Sequence, residues 1–166
     1  MLAKPIFLLL LSLGLGYAQQ PSGPSLPDGL SETEEQTILK ERNPKPHVER
    51  SLKIAESHLE NALKLAQGSQ SNRAAQEVDV FSSLIVYADA YTRKLHGDQN
   101  KDRNHCLKRI EQTIFKQTRN LDAVLRDLPV ESREVIGPQI GEVKKVRLRA
   151  INDLLGSGQV INSSNE

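Results

Sequence analysis

The sequence predicts an all-α protein, an up-down antiparallel four-helix bundle preceded by a short N-terminal helix. Four long segments repeat apolar residues at alternating spacings of three and four, which is the spacing of one face of an α-helix. Glycine and proline stand at the ends of these segments, where they cap or end helices. No run alternates apolar and polar residues over the length of a strand. Because only a few residues join the segments, consecutive helices should pack as antiparallel neighbours.

A short helix is predicted to begin after Ser31. Ser31 and Glu34 have the spacing of a capping box, in which each side chain binds the backbone amide of the other residue. Ile38 and Leu39 give this helix a small apolar edge, and Pro44 marks its end.

The first two long helices are predicted over residues 46–67 and 71–95. Pro44 and Pro46 suit the first turn of a helix, where a missing amide hydrogen costs little, and Gly68 follows the first segment as a C-terminal cap. The two apolar stripes are Val48, Leu52, Ala55, Leu59, Ala62 and Ala66, and then Val78, Phe81, Ile85, Ala88 and Leu95.

The last two long helices are predicted over residues 99–128 and 130–155. Gly137-Pro138 should kink or break the final helix, because proline clashes with the preceding turn and removes a backbone hydrogen bond. Extended helical hairpins, as in a coiled coil, are the alternative that the same spacing allows. The two stripes are Leu107, Ile110, Ile114, Leu121, Val124 and Leu128, and then Ile136, Ile140, Val143, Ala150 and Leu154.

Residues 1–18 have the layout of a cleavable signal peptide. Met1 and Lys4 give a positive start, an apolar run follows, and Gly16 and Ala18 place small residues where a signal peptidase cuts. The run is shorter than the ~20 apolar residues that span a membrane, which favours cleavage after Ala18 over an uncut membrane anchor. We therefore expect an exported protein, periplasmic or secreted, with no transmembrane segment after cleavage.

The chain beyond the signal peptide divides into three parts. Residues 19–30 are rich in proline, glycine and serine and have little to bury, which predicts a disordered linker. Residues 31–155 form the helical bundle domain, and residues 156–166 are expected to be a flexible tail.

The composition excludes several classes of protein. The 166 residues include 22 Lys+Arg and 21 Asp+Glu, so no basic excess indicates a nucleic-acid partner. The single cysteine cannot form a disulfide within the chain. The sequence has no glycine-rich phosphate loop, paired-cysteine knuckle, haem-attachment motif or Gly-x-Ser-x-Gly. We therefore expect no cofactor and no enzymatic activity.

Residues 78–91 are apolar on more than one helix face. The helix therefore carries a second apolar stripe that needs a cover. One candidate for the cover is the rest of this chain, either the short helix around Ile38 or a wider buried face of the bundle. The other is a partner protein or a second copy, because tyrosine is favoured at contact surfaces. This candidate interaction surface consists of Val80, Leu84, Tyr87 and Tyr91.

An alternative hypothesis is a metal site at one end of the bundle. An up-down path brings the start of the first long helix, the end of the second and the start of the third together, with His47, His96, His105 and Cys106 on them. Imidazole and thiolate are ligands for zinc or copper. The competing interpretation is that these are polar residues at exposed helix ends, with Cys106 either buried or available for a bridge between chains.

The final helix concentrates four basic residues in a short strip. Such a strip could contact an anionic polymer or a membrane surface peripherally. More often such a strip is a solvated face whose charges pair with acidic residues of neighbouring helices. The strip consists of Lys144, Lys145, Arg147 and Arg149.

These observations together predict an exported, non-enzymatic helical bundle with a structural or protein-interaction role in the bacterial envelope. It would act through helix surfaces, by self-association or by binding another envelope protein. The alternative is a metal-binding helical module that uses the end with His47, His96 and His105.

Overall fold

The computed structural model of the protein describes the backbone of residues 24–162 and the side chains of residues 24–156. All regular elements in this part of the chain are helical, which confirms the predicted all-α fold. A short 3-10 turn, Gly97–Gln99, precedes the fourth helix. The helices are α1 (Glu32–Leu39), α2 (Pro44–Gln67), α3 (Ser71–Arg93), α4 (Asn100–Asp127) and α5 (Val130–Asn162).

The helix ends follow from local chemistry. Ser31 and Glu34 form the predicted capping box, with the Ser31 amide donating to Glu34 Oε2 over 2.8 Å. Pro44 opens α2, and Gly68 caps its C-terminus. Pro44 lies where the helix needs no amide hydrogen. Gly68 keeps a negative φ of −84°, and the left-handed residue that follows α2 is Ser69, with φ 57°.

Helix α5 is continuous through Pro138, so the predicted break is absent. Proline removes the hydrogen bond to the Glu134 carbonyl, but both residues are exposed, and water can bind that carbonyl. When the Gln139 amide is oriented by its hydrogen bonds, it donates to the carbonyls of Val135 (2.8 Å) and Ile136 (3.2 Å). The helix also continues beyond Leu155, where the bundle was predicted to end.

Contacts between side chains show that α2 and α3 form one antiparallel hairpin and α4 and α5 another. Near the start of α2, His47 meets Tyr87 near the end of α3. Near the start of α4, Arg103 meets Asp153 in the second half of α5. Both pairs join an early residue of one helix to a late residue of the next, as the short connections predict.

The two hairpins pack side by side, and their neighbouring helices are parallel. Lys45 at the start of α2 pairs with Asp102 at the start of α4 over 2.8 Å. Asp89 near the end of α3 pairs with Arg149 in the second half of α5 over 3.0 Å. Helix α3 makes fewer contacts with α4 than with α2 or α5, and α2 does not contact α5 within the described residues. The consecutive helices α3 and α4 therefore lie at opposite corners of the bundle. The two hairpins pack against each other, unlike the extended hairpins of the alternative prediction.

The predicted stripes form most of the core, which also includes Ile38, Ala74, Leu84 and Val146. Their residues are buried, except for the half-buried Leu154. The largest side chains with no exposed surface include Phe81, Leu59, Ile85, Leu107 and Ile110.

Residues 24–30, which belong to the predicted linker, contact the bundle. Leu26 and Leu30 are partly buried against the core. Gly29 has φ +89°, and a Cβ there would lie 2.8 Å from Cγ2 of Val80, so the backbone approaches α3 closely. The predicted signal peptide, residues 19–23 and residues 163–166 lie outside the described residues.

None of the helices in residues 24–162 combines the length and the apolar character that crossing a membrane requires.

Candidate functional site

The predicted interaction surface on α3 is not available at the surface of the folded chain. Val80, Leu84 and Tyr87 are buried, and Tyr91 is half-buried. Residues 24–28 lie beside Tyr87, and the Gly29 backbone covers Val80. The cover therefore comes mainly from the segment before α1, because α1 itself packs on α2.

His47 completes this cover, and both of its ring nitrogens are hydrogen-bonded within the chain. Its Nδ1 lies 3.0 Å from the Glu41 carbonyl, which can only accept, so Nδ1 donates and Nε2 accepts from the Tyr87 hydroxyl over 2.8 Å. The ring also stacks on Tyr91, with 4.1 Å between ring centroids. Burial lowers the pKa of His47, against the opposing effect of Glu41, and burial raises the pKa of Tyr87 to about 12. Both groups are neutral near pH 7.

The alternative metal site is not assembled. Both ring nitrogens of His47 are hydrogen-bonded within the chain, His96 is exposed, and His105 Nε2 pairs with Glu49 at 3.2 Å. Cys106 is fully buried, with Sγ 3.8 Å from the Pro44 carbonyl. No group of three His, Cys, Asp or Glu in the described part of the chain could hold a metal ion.

Burial also makes Cys106 unsuited to a bridge between chains. Loss of hydration, followed by the charge of Asp102, raises the pKa of the Cys106 thiol to about 11. The thiol is therefore protonated near pH 7 and enclosed by α2, α3 and α4.

The four residues of the basic strip do not form one continuous basic surface, because they contact different helices. Arg147 Nε pairs with Glu111 of α4 at 3.1 Å, and Arg149 pairs with Asp89 of α3. Lys145 contacts Glu142 on its own helix at 3.5 Å. The arginines therefore hold α5 in the bundle, as in the solvated-face interpretation. Lys144 has no ion-pair partner among the described side chains and lines a groove together with Arg147.

That groove is the feature that sequence reasoning missed, and we name it the α4–α5 groove. It encloses about 270 Å³, and its wall is mostly apolar. The residues that line it are Ile114, Thr118, Leu121, Asp122, Ile140, Val143, Lys144, Arg147 and Leu148.

Two large apolar side chains stand exposed at the rim of the α4–α5 groove. Phe115 on α4 is 62% exposed, and Leu148 on α5 is 61% exposed. The Arg147 guanidinium lies 4.8 Å from the centroid of the Phe115 ring, a cation–π contact that holds the ring at the groove edge. The spacing of Leu148, Ile151 and Leu155 was a second helical stripe in the sequence that could have indicated this face.

A second missed arrangement joins α1 to the bundle. His58 of α2 is buried, with Nδ1 2.7 Å from Glu77 of α3 and Nε2 3.2 Å from Glu34 of α1. The Glu34 contact lacks the alignment of a hydrogen bond. Burial acts to raise the pKa of Glu34, but hydrogen bonds from Ser31 and the charge of His58 outweigh it and lower that pKa. When its ring is protonated, His58 links three helices electrostatically.

Comparison with protein-family models, curated proteins and solved structures found no match to this chain. Its fold and surfaces define a two-hairpin helical bundle whose α3 stripe is covered and whose α4–α5 groove is open. What the protein does is therefore inferred from these surfaces.

Proposed function

We propose that the protein is exported and acts without catalysis, as a structural or protein-interaction component of the bacterial envelope. The observation that carries this proposal is the open α4–α5 groove with exposed Phe115 and Leu148 at its rim. Contiguous exposed apolar surface on a small domain is typical of a contact site for another macromolecule. Covering each of these side chains would contribute roughly 1.5–3 kcal/mol.

The state of the polar residues supports a role without catalysis. His47 and Cys106, the best candidates for acid–base or nucleophilic chemistry, are buried and neutral near pH 7. His58 and His105 each contact a carboxylate, and these pairs connect helices, which is a structural use.

The sequence of residues 1–18 supports export, because it has the charged start, apolar run and small residues of a cleavable signal. The measurement is the intact mass of the protein recovered outside the cytoplasm of a bacterial host. We expect a chain that begins at Gln19, and a full-length chain retained in the cytoplasm would contradict export.

The interaction role is tested by placing a photoactivatable benzophenone amino acid at Leu148 of the exported protein. We expect illumination in intact cells to give a covalent adduct with a protein chain. The matched control places the same amino acid at Lys116, which is exposed on α4 and does not line the groove. If position 148 gives no more adduct than position 116, the groove has no protein partner and the proposed role is wrong.

A further inference from the structure

We infer that the α4–α5 groove is covered by the same face of a second copy of this chain, packed antiparallel to the first. This inference rests on the proposed function, in which the groove binds a protein. It is carried by the charge pattern of the groove, by its register and by the area of its face.

The charge pattern favours a copy over a strongly acidic or basic partner. Arg147 is already paired with Glu111. The remaining charges of the groove are one cation, Lys144, and one anion, Asp122. Neither has an ion-pair partner among the described side chains. A two-fold interface uses the same patch twice, so each copy would supply the acid and the base that the other lacks.

The register of the hairpin places these two charges symmetrically. The Arg147–Glu111 pair sets these two residues at the same level along the bundle. Because α4 and α5 are antiparallel, Lys144, three residues before Arg147, is level with Ile114, three residues after Glu111. Asp122 lies roughly 12 Å further along α4 at ~1.5 Å per residue. A two-fold axis perpendicular to the helices, beside Thr118 and Ile140, therefore brings Lys144 of each copy to the level of Asp122 of the other.

The face is large enough for a stable dimer. Helix α4 has 28 residues and is about 42 Å long. Two adjacent helices present a face about 20 Å wide. The product, about 800 Å², equals the area that each partner contributes to an interface of standard size.

The test is sedimentation equilibrium of the exported protein with exchanged charges. We expect a dimer that Lys144→Asp and Asp122→Lys each weaken at least tenfold, because each change brings like charges together across the interface. The double variant should restore the dimer, because it exchanges the two charges. Lys116→Asp, the same change outside the groove, should leave the dimer unchanged, and circular dichroism checks that each variant is folded.

A protein that remains monomeric, or a double variant no better than the single ones, would overturn this inference. Its failure can be distinguished from failure of the proposed function. An adduct between position 148 and a different protein, with a monomer in sedimentation, would keep the interaction role and remove the second copy. An adduct of twice the chain mass supports both.

Discussion

At the scale of single residues, burial decides the chemistry of this protein. His47 and Cys106 are residue types that bind metals or catalyse reactions when they are accessible and ionisable. Here each is enclosed by neighbouring helices, and the neutral form of each is favoured because a charge in the interior loses its hydration. The same residues therefore stabilise the end of the bundle instead of forming a site.

Burial of Cys106 predicts a loss of stability at high pH. The thiol has a pKa of 9.0 when unperturbed and about 11 in the folded chain. Between these values the unfolded chain releases a proton that the folded chain keeps, so the unfolded state binds fewer protons and the free energy of unfolding falls as pH rises. The contribution is complete below pH 9 and is lost as pH rises towards 11.

The measurement compares denaturant unfolding of the native chain and Cys106→Ala from pH 8 to pH 10.5. Cys106→Ala should be the less stable protein at pH 8, because it leaves a small cavity. We expect the difference in unfolding free energy to shrink as pH rises, since alanine has no proton to release. Two pH profiles that stay parallel would show that Cys106 ionises equally in both states.

At the scale of the helices, α1 differs from the four long helices because it packs against a single other helix within the described residues. It packs on α2, with Ile38 fully buried. Glu34 of α1 lies 3.2 Å from His58 of α2, whose other ring nitrogen contacts Glu77 of α3. Its capping box fixes the N-terminus. A helix of this length does not persist alone in water, so it should be formed only while it is docked.

Replacing Ile38 by alanine should therefore detach α1 without unfolding the bundle. The loss of a buried Ile side chain costs about 2–5 kcal/mol, which is enough to open a small element locally. Hydrogen exchange resolved by residue is the measurement. We expect the amides of residues 35–39 to lose protection in Ile38→Ala, while α2 to α5 keep theirs.

Leu39→Ala is the matched control, because Leu39 is the next residue along α1 and is 61% exposed. It should leave the protection of α1 unchanged within a factor of a few. If the two variants exchange alike, α1 is not held in place by Ile38.

The sequence predicts elements well where the cause is local. Helical stripes, the Ser31–Glu34 capping box and the Gly68 cap each depend on residues within one or two turns, and all are present. The continuity of α5 through Pro138 depends instead on exposure, since Glu134 and Pro138 both face solvent in the folded chain. The docking of residues 24–30 depends on the open surface of α3, which belongs to a distant part of the sequence.

At the scale of the whole molecule, the candidate site depends on which helices become neighbours. The connection from the end of α3 to the start of α4 crosses the diagonal of the four-helix bundle. This diagonal is about 14 Å long when the axes of neighbouring helices are about 10 Å apart. This crossing sets α2 beside α4 and α3 beside α5. The α4–α5 groove stays open because the other long helices pack elsewhere. No spacing within one helix specifies that arrangement, so the sequence alone did not locate the groove.

A charge network fastens the two hairpins in this arrangement. The Asp89 carboxylate is buried and accepts from Arg93 on its own helix, at 3.0 and 3.1 Å, and from Arg149 on α5 at 3.0 Å. Asp153 of α5 accepts from Arg93 at 2.9 Å and from Arg103 of α4 at 3.2 Å. Side chains from α3, α4 and α5 therefore share charges in one network.

Asp89→Asn should loosen the packing of α3 against α5. The substitution keeps the shape of the side chain but removes the charge that two arginines approach, and loss of one partner of a buried charge pair costs about 2–4 kcal/mol. Asp79→Asn is the matched control on the same helix, since Asp79 is exposed and such changes stay within about 0.5 kcal/mol. The measurement is the denaturant concentration at which each variant is half unfolded, compared where the dependence of the unfolding free energy on denaturant is the same. We expect the midpoint to fall for Asp89→Asn and to stay unchanged for Asp79→Asn. If Asp89→Asn and Asp79→Asn have the same midpoint, apolar packing alone positions the second hairpin against the first. The charge network would then contribute nothing measurable to the packing of α3 against α5.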